Sequence, residues 1–102
     1  MTPETALKKA IKQYLMLNNW FTFHILQGLG SYKGACDLIA IKKGRVLFIE
    51  VKTPGGVQSD FQKTFEKNLK GNGGHYLVAR DLYDIERYIM NNFDEQSLLF
   101  AR

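Results

Sequence analysis

Apolar side chains recur every three or four residues in three stretches of the chain, and this spacing predicts three amphipathic helices. Pro3 suits the first position of a helix, and the glycine-rich stretch from Gly71 ends the second helix. Each stretch follows a side chain that can cap a helix: Thr2 for the first, Ser59 or Asp60 for the second, and Asp81 for the third. The apolar positions are Leu7, Ala10, Ile11, Tyr14 and Leu15 in the first helix, Phe61, Phe65 and Leu69 in the second, and Leu82, Ile85, Ile89 and Phe93 in the third.

Four shorter apolar runs, at residues 20–26, 38–41, 46–49 and 75–79, predict four β-strands. Residues 46–49 are apolar on both faces, as expected for a central strand that is covered on each side. Lys43 and Gly44 lie between the second and third runs, and glycine supplies the positive φ that a tight hairpin turn needs. The predicted order is αβββαβα, a mixed α/β sandwich followed by a polar tail from Asn91 onward.

The predicted hairpin brings two acids together. If Lys42 faces Arg45 across the turn, counting back pair by pair sets Asp37 opposite Glu50. At about 5 Å and an effective dielectric near 20, two carboxylates repel each other by about 3 kcal/mol unless a cation lies between them. Mg²⁺ is a suitable cation because it takes oxygen ligands and commonly uses one or two carboxylates. Lys52 lies two residues beyond Glu50 on the same strand face, so the pattern favours a metal-dependent nuclease centre.

These residues resemble the signature of a known family. Asp37, followed after one hairpin by Glu50-Val51-Lys52, resembles the PD-(D/E)xK nuclease superfamily, and the chain is most similar to a stand-alone VRR-NUC domain. The resemblance implies an α/β fold with a PD-(D/E)xK, restriction-endonuclease-like core in αβββαβ order, extended by a C-terminal helix. One departure is Cys36, which stands before the aspartate where the family usually has proline.

The resemblance also implies roles for individual residues. Asp37, Glu50 and the backbone carbonyl of Val51 resemble metal ligands, and Lys52 resembles the residue that orients or deprotonates the attacking water. Glu4 resembles the acid that family members bring to the metal from their first helix. An acid in a first helical turn is also favoured by the helix dipole alone, so Glu4 has a structural explanation as well.

Further residues are candidates for contacts around the metal. Gln62 resembles the family glutamine that holds a metal-bound water or a phosphate, although a solvent-exposed helix residue is the alternative. Gly30, Ser31 and Lys33 lie in a loop before Asp37 that has no packed apolar pattern, and they are predicted to contact DNA. A dinucleotide-binding turn is excluded there because a strand, not a helix, follows the glycines.

Composition is compatible with one small domain spanning residues 1–102. The formal net charge of +4 and pI near 9.3 suit a polyanionic partner, although many soluble domains are as basic. The lone cysteine excludes an internal disulfide, and the longest uncharged stretch is interrupted by polar residues and glycines. We therefore expect neither signal peptide nor membrane span, and a cytoplasmic location.

The functional prediction is a DNA endonuclease that depends on Mg²⁺ or Mn²⁺. The resemblance implies a homodimer that cuts branched DNA at four-way (Holliday) junctions, since two symmetric cuts need two centres. A nuclease of flap or linear DNA and a non-catalytic nucleic-acid-binding module are the alternatives. Apolar residues predicted to be available to a dimer interface are Tyr83, Tyr88, Met90, Leu98, Leu99 and Phe100.

Overall fold

The order of helices and strands confirms the predicted αβββαβα arrangement. The computed structural model of the chain describes residues 1–25 and 32–93. The elements are α1 (Pro3–Leu17), β1 (Phe21–His24), β2 (Leu38–Lys42), β3 (Arg45–Val51), α2 (Asp60–Gly71), β4 (His75–Ala79) and α3 (Leu82–Phe93). Several strand bounds differ from the sequence prediction: β1 begins one residue later and ends at His24, and β2 and β3 extend to Lys42 and Val51. α3 ends at Phe93, the last apolar position predicted for it, and so runs past the start of the polar tail predicted from Asn91.

The helices begin where the capping side chains predict. The Thr2 hydroxyl accepts a hydrogen bond at 3.1 Å from the backbone N–H three residues later, and the Asp81 carboxylate does the same at 2.9 Å. Ser59, and not Asp60, caps α2, because its hydroxyl accepts from the N–H of Gln62 while the Gln62 side chain accepts from the N–H of Ser59. This capping box fixes the side chain of Gln62 at the helix N-terminus.

The four strands form one sheet in the order β1-β2-β3-β4. β1, β2 and β3 are antiparallel neighbours, and β4 pairs parallel to β3. Lys42 pairs with Arg45, and Lys43 and Gly44 form the turn with φ of 52° and 81°. The predicted hairpin register is therefore confirmed, and it follows from a two-residue turn with two positive φ values.

The sheet is covered unequally on its two faces. Leu47, Ile49 and Val51 of β3 are fully buried and belong to the main core, together with residues of α1 and α3. Phe48 lies on the opposite face, where Phe65 of α2 contacts its ring. The main core consists of Ile11, Tyr14, Leu15, Trp20, Leu38, Ala40, Leu47, Ile49, Val51, Ala79, Ile85, Ile89 and Phe93.

The two aromatic residues of β1, Phe21 and Phe23, lie outside this core. Trp20 is buried just before β1, but Phe21 and Phe23 are 66% and 37% exposed and contact each other with ring centroids 5.7 Å apart. β1 is an edge strand, so fewer elements are available to cover it. Leu26 of the predicted strand lies outside the described residues. No helix of the described part of the chain is both long and apolar enough to cross a membrane.

Candidate metal centre

Asp37 and Glu50 meet at one end of the β2–β3 hairpin. Leu38 pairs with Ile49, so Asp37 and Glu50 are the next residues outward from the last pair. β2 begins at Leu38, which places Asp37 immediately before the strand and not inside the ladder as the register count predicts. The Asp37 N–H donates to the Ile49 carbonyl at 2.9 Å, and Asp37 Oδ2 accepts from the Val51 N–H at 2.7 Å. The main chain thereby orients the Asp37 carboxylate toward β3.

Glu50 is a buried carboxylate with one oxygen unpartnered. Its side chain is 3% exposed, and Oε2 accepts a hydrogen bond from Gln62 Nε2 at 2.8 Å. Lys52 Nζ lies 3.7 Å from the same oxygen, whereas Oε1 has no hydrogen-bond partner among the described residues. Burial and the neighbouring charge of Asp37 raise the pKa of Glu50 to about 8, against the lowering effect of Lys52.

This arrangement fits a divalent cation. A buried carboxylate oxygen without a donor, next to a second carboxylate, is costly for the protein alone and matches the ligands that a hard cation prefers. Within residues 1–25 and 32–93, no three His, Cys, Asp or Glu side chains cluster as a metal-binding group. The side chains of Asp37 and Glu50 would therefore need main-chain or water oxygens to complete a coordination sphere, and the predicted carbonyl of Val51 lies next to Glu50 in the chain.

Glu4 reaches the centre only through Lys8, a residue that we did not predict to belong to it. Lys8 Nζ lies 3.1 Å from Asp37 Oδ1 and 3.4 Å from Glu4 Oε2. Burial lowers the pKa of Lys8, but its hydrogen bonds and charge interactions with Asp37 and Glu4 raise the pKa above its ordinary value overall. The sequence contains one signal for Lys8, since it lies four residues after Glu4 on the same helix face. Lys8 is not among the apolar positions of this helix, so the helix pattern alone does not place it near Asp37.

Gln62 is brought to the centre by its own helix cap. Its Oε1 accepts from the Ser59 N–H at 2.8 Å, and its Nε2 donates to Glu50. Both ends of the amide are therefore engaged with protein groups, so Gln62 orients Glu50 in this structure. Its role in holding a water or a phosphate stays a prediction.

A cleft of about 300 Å³ adjoins Asp37 and Gln62. Gly34 allows the loop before Asp37 to approach α2, since its φ is +79° and an added Cβ would lie 2.3 Å from the Phe61 carbonyl carbon and oxygen. Lys33 is exposed and its Nζ lies 5.0 Å from the Phe61 ring centroid. The predicted DNA contacts Gly30 and Ser31 lie outside the described residues. The lining residues are Lys33, Gly34, Ala35, Asp37, Ser59, Phe61 and Gln62.

Nearby residues with other possible chemistry have structural roles. Cys36 is fully buried, its thiol donates to the Leu38 carbonyl at 3.1 Å, and burial raises its pKa to about 12. Such a thiol is protonated at neutral pH and cannot serve as a nucleophile. His75 pairs with the hydroxyl of Tyr88 at 2.8 Å and packs against Phe93, as expected for a packed histidine.

The fold and the positions of these residues agree with the arrangement expected from the sequence. A four-stranded mixed sheet lies between helices, with an aspartate before one hairpin strand and Glu-x-Lys on the next. No protein-family model matches the chain, and no curated protein matches it in sequence. Solved structures do match it in fold.

Two of these structures are described as a VRR_NUC domain and a VRR_NUC domain protein. The first superposes with a TM-score of 0.78 at 20% identity, covering 90% of this chain and 99% of the other. The second superposes with a TM-score of 0.73 at 18% identity, covering 95% of this chain and 93% of the other. The chain therefore has the fold of a VRR_NUC domain over most of its length, which confirms the resemblance seen in the sequence at the level of the fold.

Proposed function

We propose that this protein is a divalent-metal-dependent DNA endonuclease that hydrolyses phosphodiester bonds. The observation that supports the proposal most strongly is the pair formed by Asp37 and Glu50, in which a buried Glu50 oxygen lacks any donor among the described residues. Without a cation such a pair destabilises the fold, and with a divalent cation its oxygens can serve as ligands. The VRR_NUC fold supports the proposal independently, because it is a nuclease-like fold.

The ligands that we propose for Mg²⁺ or Mn²⁺ are the carboxylates of Asp37 and Glu50 and the carbonyl of Val51, with Glu4 as a further ligand from α1. When bound, the cation would neutralise charge that develops on the phosphate and lower the pKa of a bound water. Glu4 can contribute only if Lys8 releases it, because Lys8 bridges Glu4 and Asp37 in this structure.

The remaining roles fall to side chains around the carboxylates. In the reaction, a water oxygen attacks phosphorus, one phosphorus–oxygen ester bond breaks, and the leaving oxygen takes up a proton. Lys52, 17% exposed and beside Glu50, would orient or deprotonate that water and stabilise the added negative charge. Gln62 holds Glu50 in position, and Lys33 with the loop residues Gly30 and Ser31 would contact the phosphate backbone.

We further propose that the protein acts as a homodimer on branched DNA, at four-way junctions. One chain carries one pair of catalytic carboxylates among its described residues, so two symmetric cuts require two chains. Tyr83 and Met90, expected at an interface, are 55% and 41% exposed. Tyr88 is partly buried and bonded to His75, which makes it a poorer candidate, and Leu98, Leu99 and Phe100 lie outside the described residues.

The decisive experiment is cleavage of labelled four-way, flap, nicked and linear DNA with Mg²⁺ or Mn²⁺, compared with EDTA. We expect Asp37→Ala, Glu50→Ala and Lys52→Ala each to reduce cleavage by about 10²-fold or more while the fold and metal-free DNA binding remain. Glu86→Gln is the matched control, because Glu86 is another buried carboxylate, on α3. Near-normal turnover in any alanine variant would remove that residue from the centre.

The same panel separates the alternatives. Binding of DNA without metal-dependent cleavage would indicate a non-catalytic module, and cleavage confined to flaps or linear ends would overturn the junction assignment. Light scattering tests the dimer directly. A strictly monomeric protein would contradict the dimer while leaving the metal-dependent nuclease untouched.

A further inference from the structure

A second cleft, of about 510 Å³, runs along α1 beside the metal centre. Its main lining residues are Lys8, Lys9, Lys12, Gln13 and Met16 of α1 and His24 of β1. We call this cleft the α1 groove. It lies outside the cleft that adjoins Asp37 and Gln62, and none of its residues except Lys8 takes part in the proposed chemistry.

The α1 groove is positively charged. It is lined by three lysines, and the one acid on α1, Glu4, lies in the first turn and is paired with Lys8. Lys9 is exposed, and neither Lys9 nor Lys12 forms an ion pair with another described residue. Two cationic side chains in a cleft without a protein counter-charge favour an anionic ligand.

The groove joins the metal centre at two points. Lys8 contacts Asp37 Oδ1 at 3.1 Å, and the residue after His24, Ile25, donates its N–H to the Asp37 carbonyl at 3.0 Å. From Lys8 to Lys12 the helix rises about 6 Å, and one DNA strand carries a phosphate about every 3.4 Å along its axis. That rise spans about two phosphate intervals, so lysines along the groove can contact neighbouring phosphates of one strand.

We propose that the α1 groove binds the sugar-phosphate backbone of the DNA strand that enters the metal centre. This inference rests on the proposed nuclease function, because it assigns the path of the substrate to the same site. The positive charge of the groove complements the negative charge of the DNA backbone. Because the contacts are to phosphates and not to bases, the groove binds DNA without regard to base sequence. Gln13 and Met16 also line the groove, farther along α1 than the lysines.

The test is DNA binding by the full chain in EDTA, with a fluorescently labelled four-way junction and a duplex as probes. The double variant Lys9→Gln, Lys12→Gln removes two charges from the groove but no group at the carboxylates. Lys67→Gln, Lys70→Gln is the control, since it removes the same formal charge from α2 on the opposite face of the sheet; Lys70 also loses its ion pair with Glu66. A double Lys→Arg variant at positions 9 and 12 keeps the charge and should retain binding.

We expect the groove variant to lower the slope of log K against log salt by about two, and affinity by about thirtyfold at about 0.15 M salt. This fold-change follows from two contacts with a slope of about 0.9 each, extrapolated from about 1 M salt. In Mg²⁺ the apparent KM should rise by a similar factor, while kcat at saturating DNA stays at the wild-type value.

Three outcomes decide the question. A loss of affinity and salt slope in the groove variant but not in the α2 control supports the α1 groove. Equal behaviour of the two variants, in a wild-type protein that binds and cleaves DNA, overturns the groove and leaves the nuclease assignment standing. A wild-type protein that neither binds nor cleaves DNA overturns both.

Discussion

Glu50 should make the stability of the metal-free protein fall as pH rises. Its side chain is 3% exposed, Oε1 has no partner among the described residues, and burial beside Asp37 raises its pKa to about 8 from an ordinary value of 4.5. Glu50→Gln keeps the shape and removes the charge. Asp37 is a poorer probe, because its carboxylate also pairs with Lys8 and accepts the Val51 N–H.

The sign and size of the effect follow from proton linkage. Between pH 4.5 and about 8 the folded protein holds a proton on Glu50 that the unfolded chain releases. The contribution of Glu50 to stability is therefore greatest at low pH and falls as pH rises, by up to about 1.4 kcal/mol per pH unit and on the order of 5 kcal/mol in total. For a domain of this length, each pH unit corresponds to roughly 5–10 °C in Tm.

Thermal melting in EDTA from about pH 5 to about pH 8 gives the Tm of wild type and of Glu50→Gln at each pH. The change with pH in the difference between the two Tm values measures the contribution of Glu50. At the upper end of this pH range, Mg²⁺ or Mn²⁺ at a hundredfold excess over Kd should increase the unfolding free energy of the wild type by about 2.7 kcal/mol and so raise its Tm, while the Tm of Glu50→Gln should stay nearly unchanged. Glu86→Gln, which alters a buried carboxylate on α3, should keep the metal response. Parallel pH curves for wild type and Glu50→Gln would refute the reasoning.

Two further predictions concern the surroundings of the carboxylates. Gly34→Ala should destabilise the fold by about 3 kcal/mol or more in urea unfolding, because φ is +79° and the new Cβ would meet the Phe61 backbone at 2.3 Å. Gly44→Ala has a similar φ of +81° and nothing within 4 Å, so it should cost only about 1 kcal/mol; equal losses would show that the approach to α2 is unimportant. Lys8→Met should strengthen Mn²⁺ binding about fivefold in calorimetry, because the ammonium competes for Asp37 Oδ1, whereas weaker binding would show that Lys8 supports the metal.

The sequence by itself determined the elements and the pairing of the two acids. Helix starts depend on a capping side chain a few residues away, and Thr2, Ser59 and Asp81 act as predicted. The hairpin register depends on a two-residue turn, so Asp37 and Glu50 could be placed next to each other by counting. Both depend on interactions that span few residues, or that propagate regularly along paired strands.

Only the tertiary structure decided what surrounds those acids. The contact of Lys8 with Asp37 depends on how α1 is rotated about its axis over the sheet. The apolar periodicity of a helix defines a broad buried face, so it does not determine which residue a single polar side chain contacts. Gln62 reaches Glu50 from the capping box at the start of α2, and the position of α2 against β3 is decided by contacts between distant segments. Phe21 and Phe23 are exposed because β1 is an edge strand, and strand order is set by contacts between distant segments, which local patterns do not encode.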